Sequence, residues 1–313
     1  MLVSIIIPTF NSEKYIERCL DAIAAQTYKN LEVLIVDAGS TDKTFEFIQK
    51  YKSTLNIREF TLAKSTQSEA RNLGLQHATG DYIAFCDSDD FYLPEKIEKQ
   101  INAFTPNTDV VYFDVLHFYT KQPNRYFINK HPTTDDIFAD CIANQVINLN
   151  SVMVSKKFLD TKQIKFPECE MGRYGEDGNF IFQLAFHGAK FYKLSEHLSV
   201  VEVREDSHTQ WEAQWKMKLY AIKYRENVLN QVNHKYEVLL KKAIHRLKFK
   251  LCLAYLVIGE KIEAEKELKQ LSGMQVVVIS GLLKVVPISL IGQIIKFVWL
   301  KRKASKEQVL QMD

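Results

Sequence analysis

The sequence predicts an α/β fold: a Rossmann-like, mostly parallel sheet with helices on both faces, followed by a C-terminal α-helical appendage. Three observations carry it. Short apolar runs alternate with helix-period segments through the N-terminal third of the chain. The apolar runs are continuous rather than alternating in polarity, as expected of strands covered on both faces. From about Trp211 the pattern turns helical and basic.

The elements follow in order. Residues 3–7 form a strand stopped by Pro8. Asn11 or Ser12 can cap a helix running to about Gln26, with Tyr15, Ile16, Cys19, Leu20 and Ile23 on one face. Residues 31–36 form a second strand that ends at Asp37. Ser40 or Thr41 can cap the helix that carries Phe45, Phe47, Ile48 and Tyr51. Residues 57–62 read as a weaker strand, and a helix through Ala70, Leu73, Leu75 and Ala78 stops at Gly80. Residues 82–86 and 110–118 are further strands. Residues 120–150 are polar and carry no clear period, and 151–210 mix short strands with a helix near Phe180 and Phe186.

Composition sets the outer bounds. A chain of 313 residues, 46% hydrophobic and 25% charged, suits one large domain or a domain with an appendage. The five cysteines (Cys19, Cys86, Cys141, Cys169, Cys252) are far apart and lack zinc-ligand spacing, so buried free thiols in a reducing cytosol are expected. Met1 leads into a strand without a basic, apolar signal segment. The net charge of +3 is unevenly spread: residues 211–313 carry 19 Lys and Arg against 9 Asp and Glu, and 1–210 carry 22 against 29. A basic appendage of this kind faces an anionic partner, and no nucleic-acid motif accompanies it.

Asp87-Ser88-Asp89 ends the apolar run 82–86. Open α/β sheets bind ligands at the carboxyl ends of their strands. Two carboxylates two positions apart there make an oxygen site suited to Mg²⁺ or Mn²⁺. Such an ion can hold a diphosphate and stabilise it as a leaving group.

The opening stretch VSIIIPTFNSEKYIERCLDAIAAQTYKNLEVLIVDAGSTDKT, then Glu69-Ala70-Arg71-Asn72-Leu73-Gly74, Gly80 through Asp90, and Gly175-Glu176-Asp177 together resemble the inverting family 2 glycosyltransferases of the GT-A fold, over roughly the first 200 residues. The resemblance implies roles for residues at matching positions. Pro8, Thr9 and Phe10 would line the base and ribose of a nucleotide sugar, although Phe10 also fits a core role. Glu13 matches a base-contacting position, or simply favours the N-terminus of its helix. Asp37 would accept a hydrogen bond from the base; Ala38, beside it, departs from the more common acid or Asn. Arg71 would contact the diphosphate or order the acidic loop. Asp89 would be the direct metal ligand, with Asp87 on the ribose or reaching the metal through water, and Ser88 between them in the nucleotide-sugar site. Asp90 would cap the helix that Pro94 opens.

Asp177 matches the family's base, and Glu176 would position the acceptor or orient the loop. The bland alternative, an acidic pair serving a helix N-terminus, fits the same residues. His208 is a candidate third metal ligand, and Arg204 a competitor for that position. By this reading residues 1–105 bind the nucleotide sugar, 106–210 bind the acceptor, and 211–313 form a basic, amphipathic helical region.

The expected activity is metal-dependent transfer from a nucleotide diphosphate sugar, with Mn²⁺ or Mg²⁺, to a saccharide or polyprenyl-linked saccharide in bacterial surface-polysaccharide synthesis. Residues 274–300 are largely apolar but are divided by Lys284 and Pro287, so a membrane span is disfavoured. After Pro287, Ser289, Gln293, Lys296 and Lys303 recur at helical spacing, with Ile288, Ile291, Ile294, Ile295 and Val298 on the rest of the circumference and Trp299 and Lys301-Arg302-Lys303 at the edge. That pattern fits a helix lying in a membrane interface, at the inner face of the cell membrane, or packing on protein. A sugar-nucleotide nucleotidyltransferase would need a Gly-rich basic loop after the first strand, where this chain has Pro8-Thr9-Phe10-Asn11-Ser12. A dinucleotide oxidoreductase would need G-x-G-x-x-G there. A degenerate saccharide-binding relative would not need Asp37, Asp87, Asp89 and Asp177 together.

Overall fold

The computed structural model describes residues 1–120, 122–128, 136–143, 147–167, 175–203, 211–304 and 308–311. Contacts divide the chain into two compact units. The first comprises Met1–Cys141, Gln145–Arg204 and Gln308–Asp313, and the second Ile142–Asn144 and Glu205–Glu307.

In chain order the elements are β1 (Val3–Thr9), α1 (Ile16–Ala24), β2 (Leu31–Asp37), α2 (Thr44–Tyr51), β3 (Ile57–Thr61), α3 (Gln67–His77), β4 (Tyr82–Phe85), β5 (Phe91–Tyr92), α4 (Lys96–Ala103), β6 (Val110–Tyr112), β7 (Leu116–Tyr119), β8 (Gln122–Ile128), α5 (Ile137–Ala143), β9 (Met153–Ser155), α6 (Lys156–Lys162), α7 (Glu176–Phe186), β10 (Phe191–Lys193) and β11 (Ser199–Val203). Then come α8 (Trp211–Val228), α9 (His234–Ile258), α10 (Lys261–Leu268), α11 (Met274–Val285), α12 (Ile288–Ala304) and β12 (Gln308–Gln311).

The first unit is built on a seven-stranded sheet of order β10-β6-β9-β4-β1-β2-β3. β1 pairs in parallel with both β2 and β4, and β9 alone runs antiparallel, between β4 and β6. The chain leaves β1 toward β2 and β3 and then returns to β4 on the other side. This reversal opens a crevice beyond the carboxyl ends of β1 and β4. Ile5, Ile6 and Ile7 of β1 have essentially no exposed surface. Burying each contributes about 1.5–3 kcal/mol, which explains the unbroken apolar run in a strand covered on both faces. A second sheet, β12-β8-β7-β11-β5, belongs to the same unit.

Several local expectations are corrected. Residues 110–118 are not one strand: β6 joins the first sheet and β7 the second, with the wholly buried Phe113 between them. α1 begins at Ile16 with Tyr15 as its N-cap; Ser12 does not cap it through its side chain, since its hydroxyl lies 2.7 Å from Ser88 Oγ and its N–H donates to Thr44 Oγ1. α2 is capped by neither Ser40 nor Thr41: it begins at Thr44 with Lys43 as its N-cap, and Asp42 just before accepts from Thr44 N–H at 3.0 Å and Oγ1 at 2.6 Å. Gly80 is not the C-cap of α3, which ends at His77 with Ala78 as its cap. A Cβ at Gly80 would meet Ser4 N at 2.7 Å and Ser4 Oγ at 2.6 Å, so this position requires a residue without a side chain for a close backbone approach to β1.

The second unit is helical. α8, α10 and α12 pack on the 25-residue α9, which is capped by the Asn233 side chain and ends at Gly259 in left-handed geometry. Its core includes Ile222, Leu251, Leu256, Leu268, Leu283 and Ile291. Ile291 and Ile295 therefore pack inward, whereas Leu290 and Ile294 lie on the exposed side of α12. Among the described residues, no helix is long and apolar enough to cross a membrane.

Candidate active site

The site lies at the carboxyl edge of the first sheet. Thr9 closes β1 and Asp37 closes β2 at paired positions of the register. Asp37 accepts from four donors: Thr9 Oγ1 at 3.0 Å and Ser40 Oγ at 2.5 Å on one oxygen, and the Gly39 and Ser40 N–H groups at 3.0 and 2.8 Å on the other. Pro8 is buried within β1, and Phe10, just beyond it, is 46% exposed. Glu13 turns its carboxylate to Lys43 N–H at 3.1 Å, while its own N–H donates to Asp42. Ser12 Oγ meets Ser88 Oγ at 2.7 Å, joining the loop after β1 to the acidic loop after β4.

In the acidic loop, Asp87, Asp89 and Asp90 bring carboxylate oxygens within 4.8 Å of one another. Asp90 does not cap a helix, since α4 begins six residues later and β5 intervenes. It is buried, accepts from the Asn150 side-chain amide and, at 3.2 Å, from Glu202 N–H. Burial pushes its pKa well above the carboxylate range, and the negative charges of Asp89 and Asp87 push it further; the Glu202 N–H opposes this.

Arg71 draws the second acidic group to the first. Its guanidinium is wholly buried and donates to Asp87 Oδ1 at 2.7 Å and to Asp177 Oδ1 at 2.6 Å, with Glu176 Oε1 at 3.7 Å. Phe166 lies beneath it, 5.3 Å from ring centroid to guanidinium carbon. Of the two roles expected for Arg71, ordering the acidic loop has its contact in the structure, the bond to Asp87. Burial alone would lower the Arg71 pKa, but Asp177, Asp87 and Glu176 outweigh burial and raise it.

Glu176 and Asp177 open α7, where Gly175 at φ +82° turns the chain into the helix. The Asp177 pKa is raised to about 7, first by removal from bulk water, against the pull of Arg71, and then by repulsion from Glu176 and Asp87. Solvent screens part of the effect, as the Asp177 side chain is 41% exposed. His208 and Arg204 lie outside the described residues.

Three contributors have no local signature in the sequence. Asn150 binds both Asp87 and Asp90. Arg18, on α1, donates to the Asp89 carbonyl and to Glu202 Oε2, both at 2.7 Å. Glu202, on β11, binds the loop through its own N–H. Behind the loop the thiols of Cys19 and Cys86 lie 3.6 Å apart, and burial pushes the Cys86 thiol up. Lys96, wholly buried over the Tyr92 ring, is pushed down to about 7 by burial.

A family model for glycosyl transferase family 2 matches residues 4–164, just over half of the chain. The chain belongs to that family. Across 121 residues this family 2 chain is 38% identical to an Escherichia coli UDP-Glc:alpha-D-GlcNAc-diphosphoundecaprenol beta-1,3-glucosyltransferase, WfaP, covering 39% of this chain and 47% of that one. It spans less than half the length of the curated relatives it matches. Among solved structures it resembles Staphylococcus aureus TarS 1-349 in complex with UDP-GlcNAc, at TM-score 0.56 and 20% identity over 85% of this chain and 89% of that one. It also resembles the Pyrobaculum calidifontis mannosyltransferase PcManGT in complex with GDP-Man and Mn2+, at TM-score 0.60 and 17% identity over 94% and 84%. These likenesses establish the expected GT-A fold for the family 2 chain.

Proposed function

We propose that this chain transfers a sugar, with inversion, from a nucleotide diphosphate sugar to a saccharide or lipid-linked saccharide during assembly of a bacterial surface polysaccharide. The observation that carries the reading is the Arg71 bridge, which holds one carboxylate of the acidic loop and one at the start of α7 on a single guanidinium. An in-line displacement at the anomeric carbon needs a base on the acceptor hydroxyl and, opposite it, carboxylates able to hold a cation at the leaving diphosphate.

In this reaction Asp177 takes the proton of the acceptor hydroxyl as that oxygen bonds to the anomeric carbon. The bond from that carbon to the diphosphate breaks, and its electron pair leaves on the diphosphate oxygen. A carboxylate raised toward neutrality is matched to the task of a base at physiological pH. Glu176 positions the acceptor. Pro8, Thr9, Phe10, Glu13, Asp37 and Ser88 form the nucleotide side.

The donor set fits a hard divalent cation. Asp87, Asp89 and Asp90 offer clustered oxygens; burial first, then repulsion from Asp89 and Asp87, raises Asp90, and added positive charge relieves that repulsion. Asp89 and Asp87 would hold Mg²⁺ or Mn²⁺, and His208 is the candidate third ligand. The ion would neutralise charge on the departing diphosphate.

A uridine donor is favoured by the UDP-Glc in WfaP's name and the UDP-GlcNAc bound by TarS; the GDP-Man bound by PcManGT keeps guanosine in the test. Residues 1–210 would carry catalysis, 1–105 toward the donor and 106–210 toward the acceptor. Residues 211–313 would seat the enzyme on the anionic cytoplasmic face of the membrane, near a polyprenyl-linked acceptor. The excess of 19 Lys and Arg over 9 acids and the exposed Val277, Leu282, Leu290 and Ile294 support that seat.

Melting temperature measured with UDP-glucose, UDP-GlcNAc and GDP-mannose, with and without Mn²⁺, tests the reading. One donor should raise the melting temperature of the wild type when Mn²⁺ is present, and Asp89→Ala should abolish the rise. No shift with any of the three overturns the nucleotide-sugar reading. A shift retained by Asp89→Ala overturns the metal assignment.

A further inference from the structure

We propose that Asn150 is a positioning residue that sets the divalent-cation affinity of the acidic loop; this rests on the reading that Asp87 and Asp89 hold such a cation. Asn150 is 3% exposed and sits in a single 3₁₀ turn, Leu149–Ser151. The turn is held from outside the amide: the Asn148 side chain accepts the Asn150 N–H at 2.9 Å, and Ser151 Oγ donates to the Asn148 carbonyl at 2.7 Å. The Asn150 side chain then reaches the acidic loop twice. Its carbonyl oxygen accepts Asp87 N–H at 2.9 Å, and its amide donates to Asp90 Oδ2.

These two bonds define the start and the end of the loop. Cys86 N–H still bonds to the Ile6 carbonyl of β1, and Asp87 is the first residue past that contact. Four residues from Cys86, Asp90 is buried with its other oxygen on Glu202 N–H. Asn150 thus pins both ends of the Asp87–Asp90 segment, and Asp89 is carried between them.

The chemistry accounts for the residue type. One partner is an N–H that needs an acceptor, and the other is a carboxylate that needs a donor. A side-chain amide supplies both at once and adds no charge. Aspartate would turn an oxygen toward Asp90 and enlarge the repulsion already present there. Alanine would leave a half-buried N–H and a buried carboxylate oxygen each short of a partner. The partners also dictate which end of the amide is oxygen, because Asp87 N–H can only donate.

Groups that orient metal ligands without touching the metal typically change affinity about 10–100-fold when removed. The test uses the full chain and reads Mn²⁺ binding directly, by electron paramagnetic resonance or calorimetry without nucleotide, for wild type, Asp89→Ala, Asn150→Ala and the milder Asn150→Ser. Asn150→Ala is expected to weaken Mn²⁺ binding about 10–100-fold and Asn150→Ser by less. UDP binding in the absence of metal should be unchanged. Asn150→Ser carries the test should Asn150→Ala fail to fold.

A folded Asn150 variant whose melting temperature falls while its Mn²⁺ affinity stays native overturns the proposal and leaves Asn150 a structural residue. If the wild type binds Mn²⁺, Asp89→Ala does not, and the Asn150 variants bind as tightly as wild type, the inference alone fails. If wild type and Asp89→Ala are equally inert toward Mn²⁺, the metal reading fails and the inference falls with it.

Discussion

The loops after β1 and β2 and the loop after β4 leave the same edge of one sheet, but their carboxylates live under opposite conditions. In the first pair, Asp37 meets four donors, and Asp42 accepts from Thr44 and Glu13. Burial nudges Asp42 upward, but the Thr44 and Glu13 donors outweigh it, and its pKa falls below the ordinary carboxylate value. Beyond β4, Asp87, Glu176 and Asp177 share one guanidinium, and both Asp177 and Asp90 are raised. The residue type is the same; the balance of donors against neighbouring charge decides the direction. The difference separates two tasks. A carboxylate held by neighbouring backbone N–H and hydroxyl donors, as Asp37 is, has its position set by the protein itself. A cluster with surplus negative charge suits proton uptake and the binding of positive charge.

The largest expected effect breaks the charged side of this comparison at Asp177, the proposed base. Asp177→Asn should lower turnover about 10²–10⁴-fold while donor affinity stays native, by comparison of kcat with calorimetric Kd. Its pH dependence sharpens the point. Because Asp177 is raised to about 7, it is protonated and idle below that pH in the folded protein. The wild-type rate should therefore climb about tenfold per pH unit up to neutrality and level off above it. A profile already flat from pH 5 would show that Asp177 is not the titrating base.

Arg71 comes next. Arg71→Lys keeps the charge but loses the planar fork that reaches two acids at once. A misplacement of this kind costs on the order of 10²-fold in rate, with little change in donor affinity. Arg71→Ala should destabilise the fold by about 3 kcal/mol in urea unfolding, the low end for breaking a buried pair because both partner acids are partly solvated. Native activity in the lysine variant would reduce Arg71 to a packing role. The smallest effect lies where the two regions meet. Ser12→Ala removes the bond to Ser88 and should cost about 1 kcal/mol of stability. A change in donor binding larger than in stability would show that this bond registers one loop against the other.

Much of this was legible in the sequence where the chemistry sits at the end of a local element. Asp37 and Asp87 close apolar runs and Glu176-Asp177 follow a glycine into a helix, positions readable along the chain; the roles expected of Asp37 and Asp177 came from the resemblance to family 2, whose motifs fall there. Asn150, Arg18 and Glu202 were not legible, because each acts on the acidic loop from 60 or more residues away. Asp90 was misread for the same reason: an Asp before a helix usually caps it, but here Asn150 and Glu202 claim both oxygens. The split of 110–118 into β6 and β7 was hidden because Val110, Phe113 and Leu116 are all buried, so the hydropathy does not break where the chain changes sheets.

The Arg71 bridge also orders events in time. The guanidinium finds Asp87 across 16 residues of chain but Asp177 only across 106. A ribosome adding about 5–20 residues per second makes α7 on the order of ten seconds after Asp87. During that interval the Thr9–Asp37 contact, only 28 residues apart, is already free to form. The crevice edge at β1 and β2 can therefore take shape while the nascent chain still lacks α7 and the carboxylate proposed as its base.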